Sequence, residues 1–316
     1  MNILVTGGAG FIGSHTVKAL VERGDKVVII DNLNKYYDPK LKQDRLDIFL
    51  KDVNFDFYKV DIADLEELKT VFQKHKFDCI VHLAAQAGVR YSLENPFVYE
   101  RSNICGTLNL LELAKEFKIK KFVFSSSSSV YGANETVPFK ETDFVDHPVS
   151  LYAATKKTGE LMANVYHKQY GISCVCLRFF TVYGPWGRPD MALFKFTKLI
   201  SEGKPIEVYN FGKMKRDFTY VTDIVEGIIS SVDNHYPYEI FNLGGEETIK
   251  LTYFIECIEK ALNKKANKNF LPLQPGDVLN TIADISKARE KIDFNPKVSI
   301  TQGIKNFVEW YNSYFI

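Results

Sequence analysis

The sequence predicts an α/β fold with a doubly wound parallel sheet, followed by a smaller mixed region. Short apolar segments alternate with helical segments as far as residue 178. This alternation is typical of parallel strands joined by crossover helices. Beyond that point the chain is rich in turn formers and aromatic residues, and its elements become shorter. We therefore predict a sheet domain over 1–180, to which some later segments return, and a mainly ligand-binding region over 181–316.

The composition indicates a globular protein and argues against several classes. Of 316 residues, 46% are hydrophobic and 25% are charged, which suits a chain with a sizeable core. The net charge of +1 predicts no binding to nucleic acid or to a membrane surface. No apolar run is long enough to span a bilayer, and the N-terminus enters a strand without a signal-peptide pattern, so we expect a cytoplasmic location. The five scattered cysteines predict core packing, with neither a disulfide framework nor a metal site.

The predicted elements follow the chain in order. In the first domain, apolar runs predict strands over 2–6, 26–30, 53–60, 77–82, 121–125 and 172–177. Helices are expected after the first strand and over 40–50, 64–74, 96–117 and 151–170. In the second region we expect strands near 206–209, 216–220 and 239–242, and helices near 191–202, 222–232, 251–262, 285–291 and 300–311.

A glycine turn joins the first strand to the first helix. Gly7, Gly10 and Gly13 recur at intervals of three residues. Glycines there permit a tight turn, close approach of a pyrophosphate and close packing of the helix on the sheet. The phosphate would rest on the amides of the first helical turn, which contains Phe11 and Ile12. The turn therefore predicts a dinucleotide site.

An acidic residue ends the second predicted strand. Asp31 lies 18 residues beyond Gly13, and Asn32 follows it. A carboxylate at this place accepts hydrogen bonds from a ribose 2′-hydroxyl and repels a 2′-phosphate. The pattern therefore predicts NAD rather than NADP as the cofactor.

Further cofactor contacts are predicted where the next two strands end. The third strand leads into a pair that suits an adenine contact, and the fourth leads into small residues that allow a cofactor to lie against the backbone. The helix that follows is expected to turn one amide side chain towards the cofactor. These predicted contacts are Asp61, Ile62, Leu83, Ala84, Ala85, Gln86 and Asn103.

The predicted catalytic residues lie at the start of the helix over 151–170 and in a run of serines before it. Tyr152 and Lys156 are four residues apart, so they share one helix face. An ammonium group beside a phenol lowers the phenol pKa, and the phenolate can then take a proton from an alcohol as hydride leaves the carbon. Ser127 belongs to a run of five serines at the end of a strand, and we place it against the reacting hydroxyl.

With the glycine turn, Asp31, Ser127, Tyr152 and Lys156 in this order, the chain resembles the extended short-chain dehydrogenase/reductase family of nucleotide-sugar epimerases and dehydratases. The similarity covers essentially all 316 residues. Within the family, segments 85–96, 146–157, 177–192 and 212–218 are similar to 4-epimerases of UDP-hexuronic acids.

The resemblance implies a Rossmann fold, tightly bound NAD and conversion of UDP-glucuronate to UDP-galacturonate through a transient 4-keto sugar. Tyr152 would be the base, and Lys156 would lower its pKa and bind the nicotinamide ribose. Ser127 would hydrogen-bond the 4-hydroxyl.

The resemblance also implies the residues that would bind the UDP-sugar and the oligomeric state. Thr181 and Arg188 match positions that hold the sugar carboxylate, Arg216 matches a diphosphate contact, and Asp277 matches a ribose contact. A homodimer is implied, formed through the helices over 96–117 and 151–170.

Three other functions are open at this stage. The nearest are a UDP-glucuronate decarboxylase and a UDP-glucose 4-epimerase. From a different class, the chain could be a non-catalytic NAD-binding sensor or scaffold, although Ser127, Tyr152 and Lys156 are all present. A dehydratase fits less well, because no acidic pair follows the serine strand.

Overall fold

The computed structural model describes residues 1–273 and 279–316. Its strands are β1 (Asn2–Thr6), β2 (Lys26–Ile30), β3 (Phe55–Tyr58), β4 (Cys79–His82), β5 (Lys121–Ser127), β6 (Ser173–Phe179), β7 (Thr181–Tyr183), β8 (Ile206–Val208), β9 (Lys215–Tyr220), β10 (Tyr238–Leu243), β11 (Thr248–Lys250) and β12 (Lys268–Phe270).

Seven of the strands in these described ranges form one parallel sheet in the order β10-β6-β5-β4-β1-β2-β3. The strand order reverses between β1 and β4, and in such sheets ligands bind in the crevice outside the carboxyl ends at that point. The predicted doubly wound fold is therefore confirmed. β10 comes from the later part of the chain and completes the sheet beside β6; the domain boundary at residue 180 stays a prediction.

The helices cover the two faces of this sheet and build the smaller region. They are α1 (Phe11–Glu22), α2 (Pro39–Asp44), α3 (Leu65–Lys74), α4 (Tyr91–Glu94), α5 (Phe97–Tyr99), α6 (Gly106–Glu116), α7 (Leu151–Tyr170), α8 (Ala192–Ser201), α9 (Val221–Asp233), α10 (Leu251–Leu262), α11 (Ser286–Ile292) and α12 (Ile300–Phe315). Residues Arg45–Phe49 and Glu100–Cys105 are π-helical, and Ser128–Tyr131 and Tyr209–Gly212 are 3₁₀-helical. Within the described part of the chain, every helix is too short or too polar to cross a membrane.

The core lies on both faces of the sheet, because its strands are apolar at successive positions. In β1, Val5 packs into the cluster that includes Val17 of α1, whereas Leu4 belongs to the cluster on the other face. Cys174 and Cys176 of β6 alternate onto that second face and are buried free thiols, as predicted from their spacing. Burial on both faces explains why the strands read as continuous apolar runs.

The smaller region adds short strands at the carboxyl end of β6. β7 begins two residues after β6 ends and pairs in parallel with β9, which pairs antiparallel with β11. β8 and β12 form a separate parallel pair. Of the four three-residue strands that the structure describes, the sequence pattern predicted β8 and missed β7, β11 and β12, because three residues show little alternation.

Helix α7 is capped at both ends and packs closely against β5 near its middle. Ser150 caps its N-terminus by accepting a hydrogen bond from the amide of Ala153 at 3.1 Å, and Gly171 ends it in the left-handed region. A Cβ atom at Gly159 would lie 2.2 Å from the ring of Phe124 in β5. The helix therefore lies close to the end of β5.

A chain of hydrogen bonds links β1 and β4 to α6 and the π-helical segment before it, beneath the crevice. Thr107 donates its hydroxyl to the carbonyl oxygen of Asn103 at 2.6 Å, so it accepts from Nε2 of His82 at 2.9 Å. Nδ1 of His82 then accepts from the hydroxyl of Thr6 at 2.8 Å. Burial, with a smaller contribution from the charge of Lys156, lowers the pKa of His82 to about 3. The structure therefore holds this histidine neutral.

We expect the free energy of unfolding to fall as the pH decreases from about 6.5 towards 5. The unfolded chain binds a proton at His82 that the folded chain excludes, so His82 alone contributes a loss of about 1.4 kcal/mol for each pH unit below the ordinary histidine pKa. His15, whose pKa burial also lowers to about 3, adds to the slope of every variant alike. Urea unfolding of wild type and His82→Gln over this range measures the loss. The slope should be smaller in His82→Gln and unchanged in the control His147→Gln, which alters an exposed side chain. Equal slopes in all three proteins would contradict the assignment.

Candidate active site

A cavity of about 740 Å³ lies at the carboxyl ends of the sheet strands. It runs from the glycine turn, past the ends of β2, β4 and β5 and the first turn of α7, to the segment after β6. Most residues selected from the sequence line it: Gly7, Gly10, Phe11, Ile12, Gly13, Asp31, Asn32, Asp61, Ile62, Leu83, Ala84, Ala85, Gln86, Ser127, Tyr152, Lys156, Thr181, Arg188 and Arg216.

The glycine turn has the geometry of a phosphate site. Gly7 lies in the left-handed region with φ +73°, and its carbonyl oxygen accepts a hydrogen bond from the amide of Gly10 at 2.9 Å. A Cβ atom at Gly13 would lie 2.1 Å from that same oxygen, so only glycine lets α1 begin this close to the turn. Gly10 provides no side-chain cap for α1, which leaves the first helical amides available to a phosphate.

Asp31 lies at the end of β2 beside this turn. Its carboxylate accepts hydrogen bonds from the amides of Ala9 at 3.2 Å and Leu33 at 2.9 Å. Burial raises its pKa, and the positive charge of Lys42 and these two hydrogen bonds oppose the rise. The carboxylate is therefore fixed by the backbone at the cavity wall, where its remaining acceptor capacity fits a ribose hydroxyl.

Ser127 and Tyr152 come together at the end of β5. The hydroxyl of Ser127 accepts from the amide of Ser129 at 3.1 Å, which fixes its position at the start of the 3₁₀ turn. Burial raises the pKa of Tyr152, whereas a hydrogen bond with Ser127 and the charge of Arg188 act to lower it. This differs from the expected fall, because removal of the phenol from water outweighs its neighbours.

Lys156 lies one helical turn beyond Tyr152. Among the described residues its ammonium group donates to the carbonyl oxygen of Ser125 at 2.6 Å and to the hydroxyl of Ser125 at 3.3 Å, rather than to the phenol. Burial lowers the pKa of Lys156 to about 7. Spacing along a helix predicted the shared face, but it gave no measure of how far burial would disfavour the charge.

The structure differs from expectation at Asn103. Its amide accepts from the backbone N–H of Gln86 at 2.8 Å and donates to the carbonyl of Gln86 at 3.0 Å and to the hydroxyl of Thr155 at 3.0 Å. It is buried behind the cavity wall in the π-helical segment Glu100–Cys105. Asn103 therefore braces the segment after β4 against α7, and Gln86 itself lines the cavity.

A buried ion pair holds the serine run against α7. Arg178 of β6 forms a bidentate pair with Glu160 of α7, with Nε–Oε1 and Nη2–Oε2 distances of 2.9 and 3.0 Å. Ser126 donates its hydroxyl to Glu160 at 2.7 Å. These three side chains therefore fix the serine run relative to the helix that carries Tyr152 and Lys156.

Arg188 faces the cavity with a carboxylate partner that the sequence analysis did not identify. Its guanidinium forms a bidentate ion pair with Asp190, with an Nε–Oδ1 distance of 3.0 Å, and lies 5.8 Å from the ring centre of Tyr36. The hydroxyl of Tyr36 donates to the same carboxylate at 3.2 Å. The pair fixes the direction of the guanidinium while it still lines the cavity.

Several cavity residues were absent from the sequence prediction. Ser125 stands in the serine run, and Asp190 stands two residues after Arg188. Both could have been predicted from their closeness in the sequence to residues already selected. Tyr36 and Thr281 carry no such signal, because tertiary packing alone brings their segments to the cavity. The predicted ribose contact Asp277 lies outside the described residues.

A doubly wound parallel sheet with a glycine turn, an acid after β2 and a Ser-Tyr-Lys set at the crevice defines a short-chain dehydrogenase/reductase. The family model described as GDP-mannose 4,6 dehydratase matches residues 4–307. The chain belongs to this family, the extended short-chain dehydrogenase/reductases that include the nucleotide-sugar epimerases and dehydratases.

Individual proteins are similar to this chain over nearly its full length. The chain is 56% identical over 312 residues to an uncharacterized protein of Methanocaldococcus jannaschii, with 98% of this chain and 96% of that protein covered. It is 49% identical to UDP-glucuronate 4-epimerase of Thermodesulfobacterium geofontis, with coverage of 97% and 95%. The crystal structure of UDP-glucuronic acid 4-epimerase from Bacillus cereus, in complex with UDP-glucuronic acid and NAD, is 38% identical, covers 100% of both chains and superimposes with a TM-score of 0.92.

Proposed function

We propose that the protein converts UDP-glucuronate to UDP-galacturonate by NAD-dependent epimerisation at C4. One observation carries the proposal: Tyr152, Ser127 and Lys156 share a cavity with Arg188, a cation that suits a sugar carboxylate. The relatives named as UDP-glucuronate 4-epimerases support the same substrate and reaction.

The residues of the crevice suit NAD. The amides at the start of α1 would bind the pyrophosphate, Asp31 would bind the adenosine ribose, and Lys156 would bind the nicotinamide ribose. When bound, NAD would supply a reversible hydride acceptor for C4 of the sugar, so the reaction would involve no net oxidation. We propose that the cofactor stays bound between turnovers.

Tyr152 would remove the proton of the sugar 4-hydroxyl. Burial raises the pKa of this phenol, so the site must supply positive charge to make it a base. Arg188 already acts to lower the phenol pKa, and Lys156, on the same face of α7, would add positive charge whenever it is protonated. Ser127 would hydrogen-bond the 4-hydroxyl and hold it near the phenol.

Arg188 and Thr181 would hold the sugar carboxylate. A 4-keto uronic acid is a β-keto acid and loses carbon dioxide when the bond to its carboxylate aligns with the carbonyl π system. A planar guanidinium can hold the carboxylate out of that alignment. Arg188 lines the cavity with its own direction fixed by Asp190, which supports this role.

The remaining assignments of the sequence analysis stay proposals. Arg216 lines the cavity and would contact the diphosphate. A ribose contact at Asp277 and a cytoplasmic location stay predictions from the sequence alone.

We also propose a homodimer. α6 and α7 pack together, and the described residues on and before them expose large apolar side chains that a partner would cover. Phe97 is 81% exposed and Leu93 is 68% exposed, while Leu161 and Val165 of α7 are both 54% exposed. A second copy, related by a two-fold axis, would bury this face against itself.

Purified protein is expected to form UDP-galacturonate from UDP-glucuronate without added NAD. Tyr152→Phe should lower turnover about 10²- to 10⁴-fold, because it removes the proton acceptor. Tyr170→Phe changes an exposed tyrosine at the far end of the same helix and should leave turnover unchanged. Chromatography of the nucleotide sugars measures the products. Formation of UDP-pentose alone, action on UDP-glucose alone, or no conversion would contradict the proposed function.

Arg188→Ala is expected to lower turnover of UDP-glucuronate ~10- to 100-fold, in line with the loss of a charge-assisted hydrogen bond to the carboxylate. The same variant should release UDP-pentose and carbon dioxide, because the carboxylate is no longer held. Arg289→Ala removes an exposed arginine paired with Glu246 and serves as the control. Wild-type kinetics and products in Arg188→Ala would remove Arg188 from the site.

The double variant Leu161→Glu/Val165→Glu is expected to be monomeric, because it places charge in the apolar face. Sedimentation velocity should give a dimer for the wild type and for Tyr253→Glu, which changes an exposed apolar residue on α10. A monomeric wild type, or a dimer in the double variant, would exclude this interface.

A further inference from the structure

Arg45 is a fully buried arginine outside the residues that line the cavity. Within the described ranges, all its hydrogen bonds go to uncharged oxygens. Nε and Nη2 donate to the carbonyl of Trp186 at 3.1 and 2.7 Å, and Nη2 also donates to the carbonyl of Gly187 at 3.5 Å. Nη1 donates to the carbonyl of Ala9 at 3.0 Å and to the hydroxyl of Tyr37 at 2.7 Å. Burial of a cation whose described hydrogen-bond acceptors are all uncharged is costly, so these acceptors must be held in place around it.

The backbone carbonyls that accept from Arg45 belong to two different parts of the site. Ala9 lies inside the glycine turn, and its amide donates to Asp31 at 3.2 Å. Trp186 lies two residues before Arg188. The planar guanidinium of Arg45 therefore joins the cofactor side of the cavity to the segment that carries the cation for the sugar carboxylate.

The backbone before Arg188 has a strained conformation, so it needs hydrogen bonds to hold it in place. Trp186 has a φ of +60°, in the left-handed region that bulky side chains rarely adopt. Its indole is buried and packs against Phe49, which follows Arg45 in the same π-helical segment, and against Trp310. Two hydrogen bonds from Arg45 to the Trp186 carbonyl fix the backbone at this strained residue.

Tyr36, which lies close to Arg45 in the sequence, provides a second contact to Arg188. Tyr36 donates its hydroxyl to Asp190, whose carboxylate is paired with Arg188, and the Tyr36 ring faces the guanidinium. The segment over 36–45 therefore holds Arg188 by its backbone, through Arg45, and by its side chain, through Tyr36 and Asp190.

We propose that Arg45 is a positioning residue for Arg188, and that Tyr36 supports it, so that the segment over 36–45 sets which product the enzyme releases. The inference rests on the proposed function. In the 4-keto uronate, the bond between C5 and the carboxylate breaks when it aligns with the carbonyl π system. The carboxylate leaves as carbon dioxide, the electron pair enters the enolate across C5 and C4, and C5 then takes a proton. A displaced Arg188 would allow that alignment.

Arg45→Lys is the central test, because lysine keeps the charge but cannot span both carbonyls as a planar fork. We expect epimerisation by Arg45→Lys to fall ~10- to 100-fold, as for small misplacements of a binding group. We also expect a several-fold larger share of turnover to end in decarboxylation. Decarboxylation releases carbon dioxide and a UDP-pentose, either as the 4-keto sugar or in its reduced form. Tyr36→Phe should raise that share to a smaller extent. The share is a ratio of products, so partial unfolding of a variant does not change it.

Arg23→Lys is the matched control, since Arg23 is tied to Asp233 away from the cavity. It should release products in the wild-type ratio. If wild type forms UDP-galacturonate while Arg45→Lys and Tyr36→Phe both keep the wild-type ratio, the positioning role is overturned and the proposed function stands. If Arg45→Lys does not fold, the ratio in Tyr36→Phe decides. Absence of UDP-galacturonate from the wild type refutes the proposed function itself, whatever the variants do.

Discussion

The close packing of α7 on β5 is the constraint on which the site depends. It requires a glycine at 159, where any side chain would strike Phe124. Once the two elements are this close, Lys156 reaches the carbonyl of Ser125, and Glu160 reaches Ser126 and its buried partner Arg178. The serine run and the ammonium group are thus fixed relative to one another by the sheet and by the helix that carries Tyr152.

The same closeness has an electrostatic consequence. Burial disfavours charge on either group, so it raises the pKa of the Tyr152 phenol and lowers that of the Lys156 ammonium to about 7. Because of these two pKa shifts, the phenol and the amine each favour the uncharged form more than they would in water. Positive charge brought to the crevice is therefore what turns this tyrosine into a base, and Arg188 already acts in that direction on its pKa.

Hydrogen bonds also unite the two sides of the cavity. The glycine turn, which suits a phosphate, accepts from Arg45, and Arg45 also donates to the segment before Arg188. On the other side of the turn, His82 at the end of β4 connects Thr6 of β1 to Thr107, which donates to the carbonyl oxygen of Asn103. Few of these contacts lie at the surface, so the walls of the crevice form a connected frame rather than a set of independent loops.

The sequence by itself determined the alternation of strands and helices along the chain, the glycine turn, and the helix that carries Tyr152 and Lys156, because these depend on local periodicity and on short-range caps such as Ser150. Only the tertiary structure decided that burial would raise the pKa of Tyr152, that Asn103 would support Gln86, and that Tyr36 and Asp190 would flank Arg188. Desolvation and long-range contacts depend on which segments meet, and a linear pattern does not contain that information.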